Sequence, residues 1–220
     1  MVKYFVINKR HIHSIIISNR GDKVQLLQTE NELDYKTFEL CNDDGDTVAS
    51  FDAEINKETA LISYETKYQF RNMGFASLGL NLLKNVLFSD FNILFLELIN
   101  LSGDYSRKVA ENAGFFSPSH SIDYYISLNP DAEIIIEELF EQLDPSSTEY
   151  KKKQNVYNKI KRLRAYENRS KEEMKRKLKQ LLQEQAIGLE SGYYKKHIED
   201  EINHLQNILG KSQDNINKKR

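Results

Sequence analysis

The sequence predicts an α+β protein, with a mixed β-sheet and flanking helices over residues 1–130 and a helical extension over residues 131–210. Two observations favour this class. Up to residue 128, short runs of strand composition alternate with one strongly periodic helix. From Asp131 onward the apolar residues recur at helical spacing throughout. Residues 211–220 are polar and charged, and we expect them to form a disordered tail.

The first strands of the sheet are only partly defined by the sequence. Residues 4–7 (Tyr-Phe-Val-Ile) have the composition of a short strand. Residues 13–18 and 23–27 are each compatible with a strand or with a weak helix, and the pattern does not decide between them.

A β-hairpin over residues 37–51 is the strongest strand signal in the chain. Residues 37–41 and 47–51 both alternate between polar and apolar side chains. Between them lies Asn-Asp-Asp-Gly-Asp, residues 42–46, with an Asp-Gly pair at its centre. Such a pair favours a tight turn, so the two strands are predicted to be antiparallel neighbours.

The clearest helix begins just after residues 71–74 and carries a stripe of apolar residues at i, i+4, i+7 and i+11, namely Ala76, Leu80, Leu83 and Leu87. Strands are predicted on both sides of it, at residues 60–64 and 93–98. A shorter helix over residues 105–112 ends at Ala113-Gly114, which is a suitable stop signal. Residues 124–128 form the last predicted strand.

The helical extension is predicted to be an antiparallel hairpin or a short coiled coil. A first helix over residues 134–143 ends at Asp144-Pro145. Capping boxes beginning at Ser146 and Ser170 predict two further helix starts. Between them, the apolar residues at helical spacing are interrupted at residues 167–170. The turn of the hairpin is expected at residues 188–192, and the last helix is expected to end at Gly210.

Composition limits the classes of function and partner. The single cysteine, Cys41, excludes an intrachain disulfide and a cysteine zinc cluster, and the histidine pairs lack a third ligand nearby. No apolar run approaches the ~20 residues that span a bilayer, and no secretory signal begins the chain, so we expect a cytoplasmic protein without membrane contact.

The charge is distributed unevenly. Residues 1–148 carry a net charge of −11, whereas residues 149–180 carry +9. This asymmetry predicts one of two arrangements. The basic segment associates with the acidic domain, either within one molecule or across a homodimer formed through the helical region, or residues 149–180 make a weak, non-specific contact with a polyanion.

Residues 64–76, between a predicted strand and the clearest helix, carry the chemical information. A loop that enters a helix presents unpaired backbone N–H groups and the positive end of the helix dipole, which together bind anions. Gly74 would let a phosphate approach the backbone closely. The spacing is neither that of a Walker loop nor that of a dinucleotide-binding G-x-G-x-x-G motif.

Two motifs, one in this loop and one about thirty residues further along the chain, resemble those of the GCN5-related N-acetyltransferases. The resemblance is to the ribosomal-protein and small-molecule branches of that family in particular. Arg71-x-x-Gly74-x-Ala76 is similar to the family's Q/R-x-x-G-x-G/A loop, and residues 106–115 (Ser-Arg-Lys-Val-Ala-Glu-Asn-Ala-Gly-Phe) are similar to the segment that follows its fifth strand. The resemblance covers roughly residues 35–128.

The resemblance implies a twisted mixed sheet whose two central strands splay apart around acetyl-CoA, the cosubstrate. It implies that the pyrophosphate lies on the loop amides of Arg71, Asn72, Met73, Gly74, Phe75 and Ala76. Ser106 either contacts the pantetheine arm or is a plain hydroxyl on a helix. The implied activity is direct acetyl transfer, without a metal, to a primary amine of a protein or a small molecule.

The catalytic candidates are Glu97, Glu65 and Tyr105. An ammonium is not a nucleophile, so a base is needed, and Glu97 lies near the position where one branch of the family carries a glutamate base. Glu65, at the end of the preceding strand, is the alternative base. Both glutamates are also compatible with ordinary solvent-facing residues of a strand. Tyr105 is a candidate acid or a packing residue.

Two positions depart from the family's pattern, because Gly103 stands where the family has asparagine and Ala110 where some branches have a tyrosine acid. The alternative function is therefore a catalytically degenerate acyl-CoA-binding or scaffold domain, whose basic helical arm docks on a partner protein or RNA.

Overall fold

The computed structural model describes the backbone of residues 6–7, 10–17, 23–99, 101, 103–118, 124–187 and 193–217. The chain divides into two compact units, Met1–Glu141 and Gln142–Arg220. The first unit thus includes the first helix past the sheet.

The first unit is built on one eight-stranded sheet whose strands are neighbours in chain order. All adjacent strands are antiparallel except β6 and β7, which are parallel and joined by helix α1. This mixed sheet with helices confirms the predicted α+β class. The strands are β1 Val6–Ile7, β2 Arg10–Ile17, β3 Lys23–Asn31, β4 Tyr35–Asn42, β5 Thr47–Asn56, β6 Thr59–Thr66, β7 Phe95–Ile99 and β8 Tyr124–Leu128.

The undecided segments near the N-terminus are strands. β2 and β3 pair antiparallel from His11↔Gln28 to Ile17↔Lys23. In β3 the buried side chains alternate, with Val24 and Leu26 fully buried, which is the pattern of a strand covered on one face. Of the predicted first strand, residues 6–7 form β1, and residues 4–5 lie outside the described residues.

The predicted hairpin is confirmed. The Gly45 N–H donates to the carbonyl of Asn42, and the Asn42 N–H donates to the carbonyl of Asp46. Gly45 has a φ of +84°, a conformation that costs glycine little and other residues more. The turn thereby brings β4 and β5 into register, with Phe38 opposite Phe51.

The core of the first unit lies between the sheet and helix α1, Phe75–Asp90. The predicted stripe is confirmed, because Ala76, Leu80, Leu83 and Leu87 are all buried. A closer approach occurs at Gly79, where a Cβ atom would lie 2.2 Å from Cζ of the buried Phe51 ring. Only glycine therefore lets α1 lie this close to β5.

Helix α2, Gly103–Asn112, ends as the sequence predicts. Gly114 has a φ of +80°, its N–H donates to the carbonyl of Glu111, and the Phe115 N–H donates to the carbonyl of Ala110. These two bonds form a Schellman motif, which satisfies the last carbonyls of the helix. After β8, helix α3 spans Ala132–Phe140 and buries Ala132 and Ile136.

The second unit contains two helices, α4 (Thr148–Ile187) and α5 (Tyr193–Asn217). The predicted helix break at residues 167–170 is wrong, because α4 is continuous there. Glu167 accepts hydrogen bonds from Arg164 and Lys171, three residues before and four residues after it, so this polar stretch supports the helix. The predicted cap is also displaced by one residue, since the Ser147 hydroxyl, not that of Ser146, accepts from the Tyr150 N–H.

Helices α4 and α5 contact each other. Lys177 and Glu201, which lie at similar distances from residues 188–192, form an ion pair of 2.7 Å, as in an antiparallel pair. The predicted turn at 188–192 lies outside the described residues. On α5 the buried apolar side chains are Ile198, Ile202, Leu205 and Ile208.

Helix α5 continues past Gly210 and ends at Asn217, so the predicted end at Gly210 is wrong. The coiled coil, the homodimer and the disorder of residues 211–220 in solution stay predictions.

We predict that Gly79→Ala destabilises the first unit, although alanine favours helices, because the added methyl group overlaps the buried Phe51 ring. The expected loss is about 1–3 kcal/mol in the free energy of unfolding, measured by urea denaturation. Gly210→Ala is the matched control, since no atom lies within 4 Å of its added Cβ and it should stabilise α5. Unchanged stability of Gly79→Ala would contradict the close packing.

Candidate functional site

The parallel pair β6–β7 is open at one end. Residues Thr59–Ile62 of β6 pair with Phe95–Leu98 of β7. β6 then continues for four more residues to Thr66, paired with β5 on its other side, whereas β7 ends at Ile99. Within the described residues, the backbone of 63–66 therefore has no strand on the β7 side. This is the splay that the family resemblance implies.

The loop that follows β6 enters α1 at this open end. A short 3-10 helix, Tyr68–Phe70, leads through residues 71–73 to Gly74, which caps α1 with a φ of +86° and without a side-chain hydrogen bond. The first N–H groups of a helix have no partner inside the helix, and the dipole adds positive potential there. Phe75 and Ala76 are buried in the core, so they would serve an anion through their backbone only.

Three side chains arrange this loop. Arg71 is exposed, donates from Nε to the carbonyl of Thr66 at 3.2 Å, and lies with its guanidinium 5.5 Å from the centre of the Tyr68 ring. The N–H of Asn72 donates to the hydroxyl of Tyr105 at 3.1 Å. Arg71 therefore holds the start of the loop, and Tyr105 contacts its middle.

Helix α2 lies beside the beginning of α1. The Ser77 hydroxyl in the first turn of α1 donates to the carbonyl of Val109 in α2, at 3.2 Å. The Tyr64 hydroxyl on β6 donates to the carbonyl of Ser106, at 3.4 Å. The structure thus brings residues 71–76, Tyr105 and Ser106 together, although about thirty residues separate the two motifs.

Exposed apolar side chains concentrate at the same end of the β6–β7 pair. Among the described residues, nine large apolar or aromatic side chains are exposed, and four of them surround this opening: Tyr68, Met73, Ile99 and Tyr105. Exposed apolar groups in one place mark a binding surface more often than scattered ones do. The opening therefore combines anion-binding amides with apolar contact area.

The two acidic candidates lie on the opposite face of the sheet from α1. Leu96 and Leu98 belong to the α1 core, so Glu97 between them faces away, and Glu65 does so on β6. Glu97 is in register with Leu61. Glu65 lies four residues further along β6, or ~13 Å at the usual rise per residue. The two carboxylates are therefore alternatives and cannot serve one amine together.

Glu97 has a neighbour that sequence reasoning missed. Tyr124 on β8 shares its face, and the pKa of Tyr124 is raised by burial first and then by the charge of Glu97 and a hydrogen bond to it. Tyr124 therefore stays protonated and donates to the carboxylate. No sequence signal identifies this pair, because it depends on the register of two strands that are not linked by a tight turn.

The face that carries Glu97 is acidic. Strands β4–β7 place five carboxylates on it, namely Glu39, Asp52, Glu54, Glu65 and Glu97, and no lysine or arginine of these described strands shares it. Lys36, the one basic residue of these strands, is buried on the other side. Thr37 donates to Asp52 at 3.0 Å. This face thus favours a cation.

Two further observations concern metals and membranes. In the part of the chain that the structure describes, no group of three or more histidine, cysteine, aspartate or glutamate side chains is placed to hold a metal ion. Among the described helices, none has both the length and the apolar character needed to cross a membrane.

Several solved acetyltransferases are similar to this chain in structure. A ribosomal-protein-S5-alanine acetyltransferase from Vibrio fischeri is 13% identical, with a TM-score of 0.37, over 44% of this chain and 63% of that one. A spermidine N-acetyltransferase from Vibrio cholerae, solved with CoA and spermine, is 15% identical, with a TM-score of 0.39, over 44% and 67%. The N-acetyltransferase PseH of Campylobacter jejuni is 15% identical, with a TM-score of 0.37, over 43% and 67%.

The chain thus spans less than two thirds of the S5-alanine acetyltransferase. No protein-family model matches the sequence, and no curated protein is significantly similar to it. The strand order and the parallel β6–β7 pair bear out the mixed sheet that the motif resemblance implies.

We predict that the free energy of unfolding falls as the pH rises from 10 to 12. Burial raises the pKa of Tyr64 from 10.0 to about 12, so the folded state keeps a proton that the unfolded state releases in this range. The contribution of Tyr64 is complete below pH 10 and is lost on the way to pH 12. Urea unfolding at several pH values should give a smaller slope for Tyr64→Phe than for the wild type. Equal slopes would contradict the raised pKa.

Proposed function

We propose that this protein is an acetyl-CoA-dependent N-acetyltransferase that acts on a primary amine. The observation that carries the proposal is the opening of the β6–β7 pair after Ile62, directly before the loop that enters α1. An extended arm could pair with the free backbone of residues 63–66 while an anion at its end binds the amides at Gly74–Ser77. Coenzyme A has this shape and charge.

In the proposed mechanism, the loop amides and the dipole of α1 hold the pyrophosphate. The pantetheine arm lies along β6, where it contacts Ser106 of α2. A backbone N–H of residues 63–66 donates to the thioester carbonyl and stabilises the negative charge that develops there. The cosubstrate would then present its acetyl group at the splay, towards the acidic face.

The acceptor is proposed to approach from the acidic face as an ammonium. A carboxylate takes one proton, and the neutral nitrogen attacks the thioester carbonyl. The C–S bond then breaks, and the leaving thiolate of coenzyme A takes the second proton that the nitrogen loses, so that the products are an amide and a thiol. Glu97 is the preferred base, because it is aligned with Leu61, one residue before the last pair of the β6–β7 segment, and is partly buried. The face favours cationic amines and leaves open whether a protein or a small molecule carries them.

A catalytically degenerate domain is the second candidate. It is favoured by Ala110, which is fully buried and stands where some branches carry a tyrosine acid. Such a domain would bind acyl-CoA without turnover, and its basic helical segment would dock on a partner. Release of free coenzyme A in the presence of peptides, polyamines and aminoglycosides separates the two candidates, since only the enzyme produces it.

We predict that Gly74→Glu abolishes binding of coenzyme A, because the new carboxylate lies where the pyrophosphate is proposed to bind. Isothermal calorimetry on the wild type should give a micromolar dissociation constant, about −7 to −9 kcal/mol. Gly45→Glu is a matched control: both glycines have a φ near +85°, and neither has an atom within 4 Å of an added Cβ. Wild-type affinity in Gly74→Glu would contradict the proposed site.

We also predict that Glu97→Gln lowers kcat roughly 10²–10⁴-fold and leaves the affinity for coenzyme A unchanged, because a general base acts only on the acceptor. Steady-state kinetics and calorimetry measure the two effects. Glu65→Gln is the comparison, since this exposed carboxylate lies on the same face. If Glu65→Gln loses activity and Glu97→Gln does not, the base is Glu65.

A further inference from the structure

We propose that Tyr105 is a positioning residue for the loop before α1: its hydroxyl holds the backbone of Asn72 and thereby sets the direction of the amides that receive the pyrophosphate. This inference rests on the proposed function, because it assigns a role at the same site. It differs from both roles that the sequence leaves open for Tyr105, a catalytic acid or a packing residue.

The contact joins two elements that are distant in the chain. The N–H of Asn72 donates to the Tyr105 hydroxyl at 3.1 Å. Tyr105 lies in the first turn of α2, and Asn72 precedes Gly74, the cap of α1, by two residues. The Tyr105 side chain is 52% exposed, so packing alone does not hold its ring in place. The hydrogen bond therefore couples the loop to α2.

The backbone of the loop needs such a tether. Asn72 has a φ of +62°, in the left-handed region. Asparagine tolerates this region better than other non-glycine residues do, but it is still less stable there than in a right-handed or extended conformation. Gly74 has a φ of +86°, so two left-handed residues flank Met73. Without the bond to Tyr105, Asn72 is free to return to a right-handed or extended conformation, and the amides that follow it would then point elsewhere.

Positioning and acid catalysis make different demands on this hydroxyl. A hydroxyl that accepts the Asn72 N–H still has its own proton to donate, so a phosphate oxygen on the loop is a suitable acceptor. A catalytic acid must instead reach the sulfur that leaves. Loss of a positioning hydroxyl weakens the binding of substrates that carry the pyrophosphate, whereas loss of an acid lowers kcat for every thioester.

The test is Tyr105→Phe in the full-length protein. The dissociation constant of coenzyme A should rise about three- to tenfold, the effect of one hydrogen bond, and the KM for acetyl-CoA should rise with it. Acetyl-pantetheine, which lacks the pyrophosphate, should keep its KM and kcat. Tyr166→Phe is the matched control: this tyrosine of α4 is also exposed, its hydroxyl has no hydrogen-bond partner among the described residues, and the variant should bind coenzyme A as the wild type does.

The outcomes separate this inference from the proposed function. If the wild type binds coenzyme A and Tyr105→Phe binds it equally well, the positioning role is wrong and the proposed function stands. An equal fall in kcat for both thioesters, with unchanged affinity, would make Tyr105 a catalytic acid instead. If the wild type does not bind coenzyme A, both proposals fail. Faster hydrogen exchange of the Asn72 amide in Tyr105→Phe, measured by NMR, would support the tether directly.

Discussion

The packing of α1 against β5 determines where every other part of the candidate site lies. Gly79 lets the helix approach Phe51 so closely that no other residue fits between them. Because α1 follows β6 after a short loop, fixing the helix also fixes its first amides relative to the end of β6. Because α1 carries the chain back along the sheet before β7 begins, β7 runs parallel to β6 in an otherwise antiparallel sheet.

The opening of the parallel pair follows from the shortness of β7. Ile99 ends the strand with an exposed side chain, and Leu101 is buried again before α2 begins. Gly103 has a φ of +80° at the first position of α2. Asparagine is the other residue that adopts this conformation readily, so the glycine is compatible with the backbone where the family has asparagine. The departure at 103 therefore leaves the geometry of α2 intact.

Local patterns predicted most of the fold, and their failures have local causes. The β4–β5 hairpin and α1 carry strong periodicity, so both were predictable. At residues 146–147 two adjacent serines compete for one cap, and the sequence pattern alone favoured the wrong one. Residues 167–170 lack apolar side chains, but they contain no glycine or proline, and the ion pairs of Glu167 keep the helix intact. The periodicity of α4 weakens there without a break.

The candidate site was predictable only where it is contiguous in sequence. Residues 71–76 form one loop, so a motif identifies them. The contacts of Tyr105 with Asn72 and of Tyr64 with α2 depend on how two helices and a strand meet, and no pattern in the chain encodes that. Tyr124 lies beside Glu97 because of the register of β7 and β8. Such pairs require the tertiary structure.

Positive and negative charges lie on different sides of the opening, and each side suits a different ligand. The loop after β6 carries Lys67 and Arg71 and no acidic residue, and the helix dipole of α1 adds to its positive potential. The other face of the sheet carries five carboxylates and, in the described strands β4–β7, no basic residue.

A ligand with phosphates at one end is therefore attracted to the loop and repelled by the acidic face, whereas an ammonium is attracted to that face and repelled by the loop. Such an arrangement orients the two proposed substrates before they touch, because each is excluded from the position of the other. Exposed charges are screened over about 10 Å in 0.1 M salt. The electrostatic orientation of the two substrates is therefore effective mainly near the opening, where the two surfaces meet.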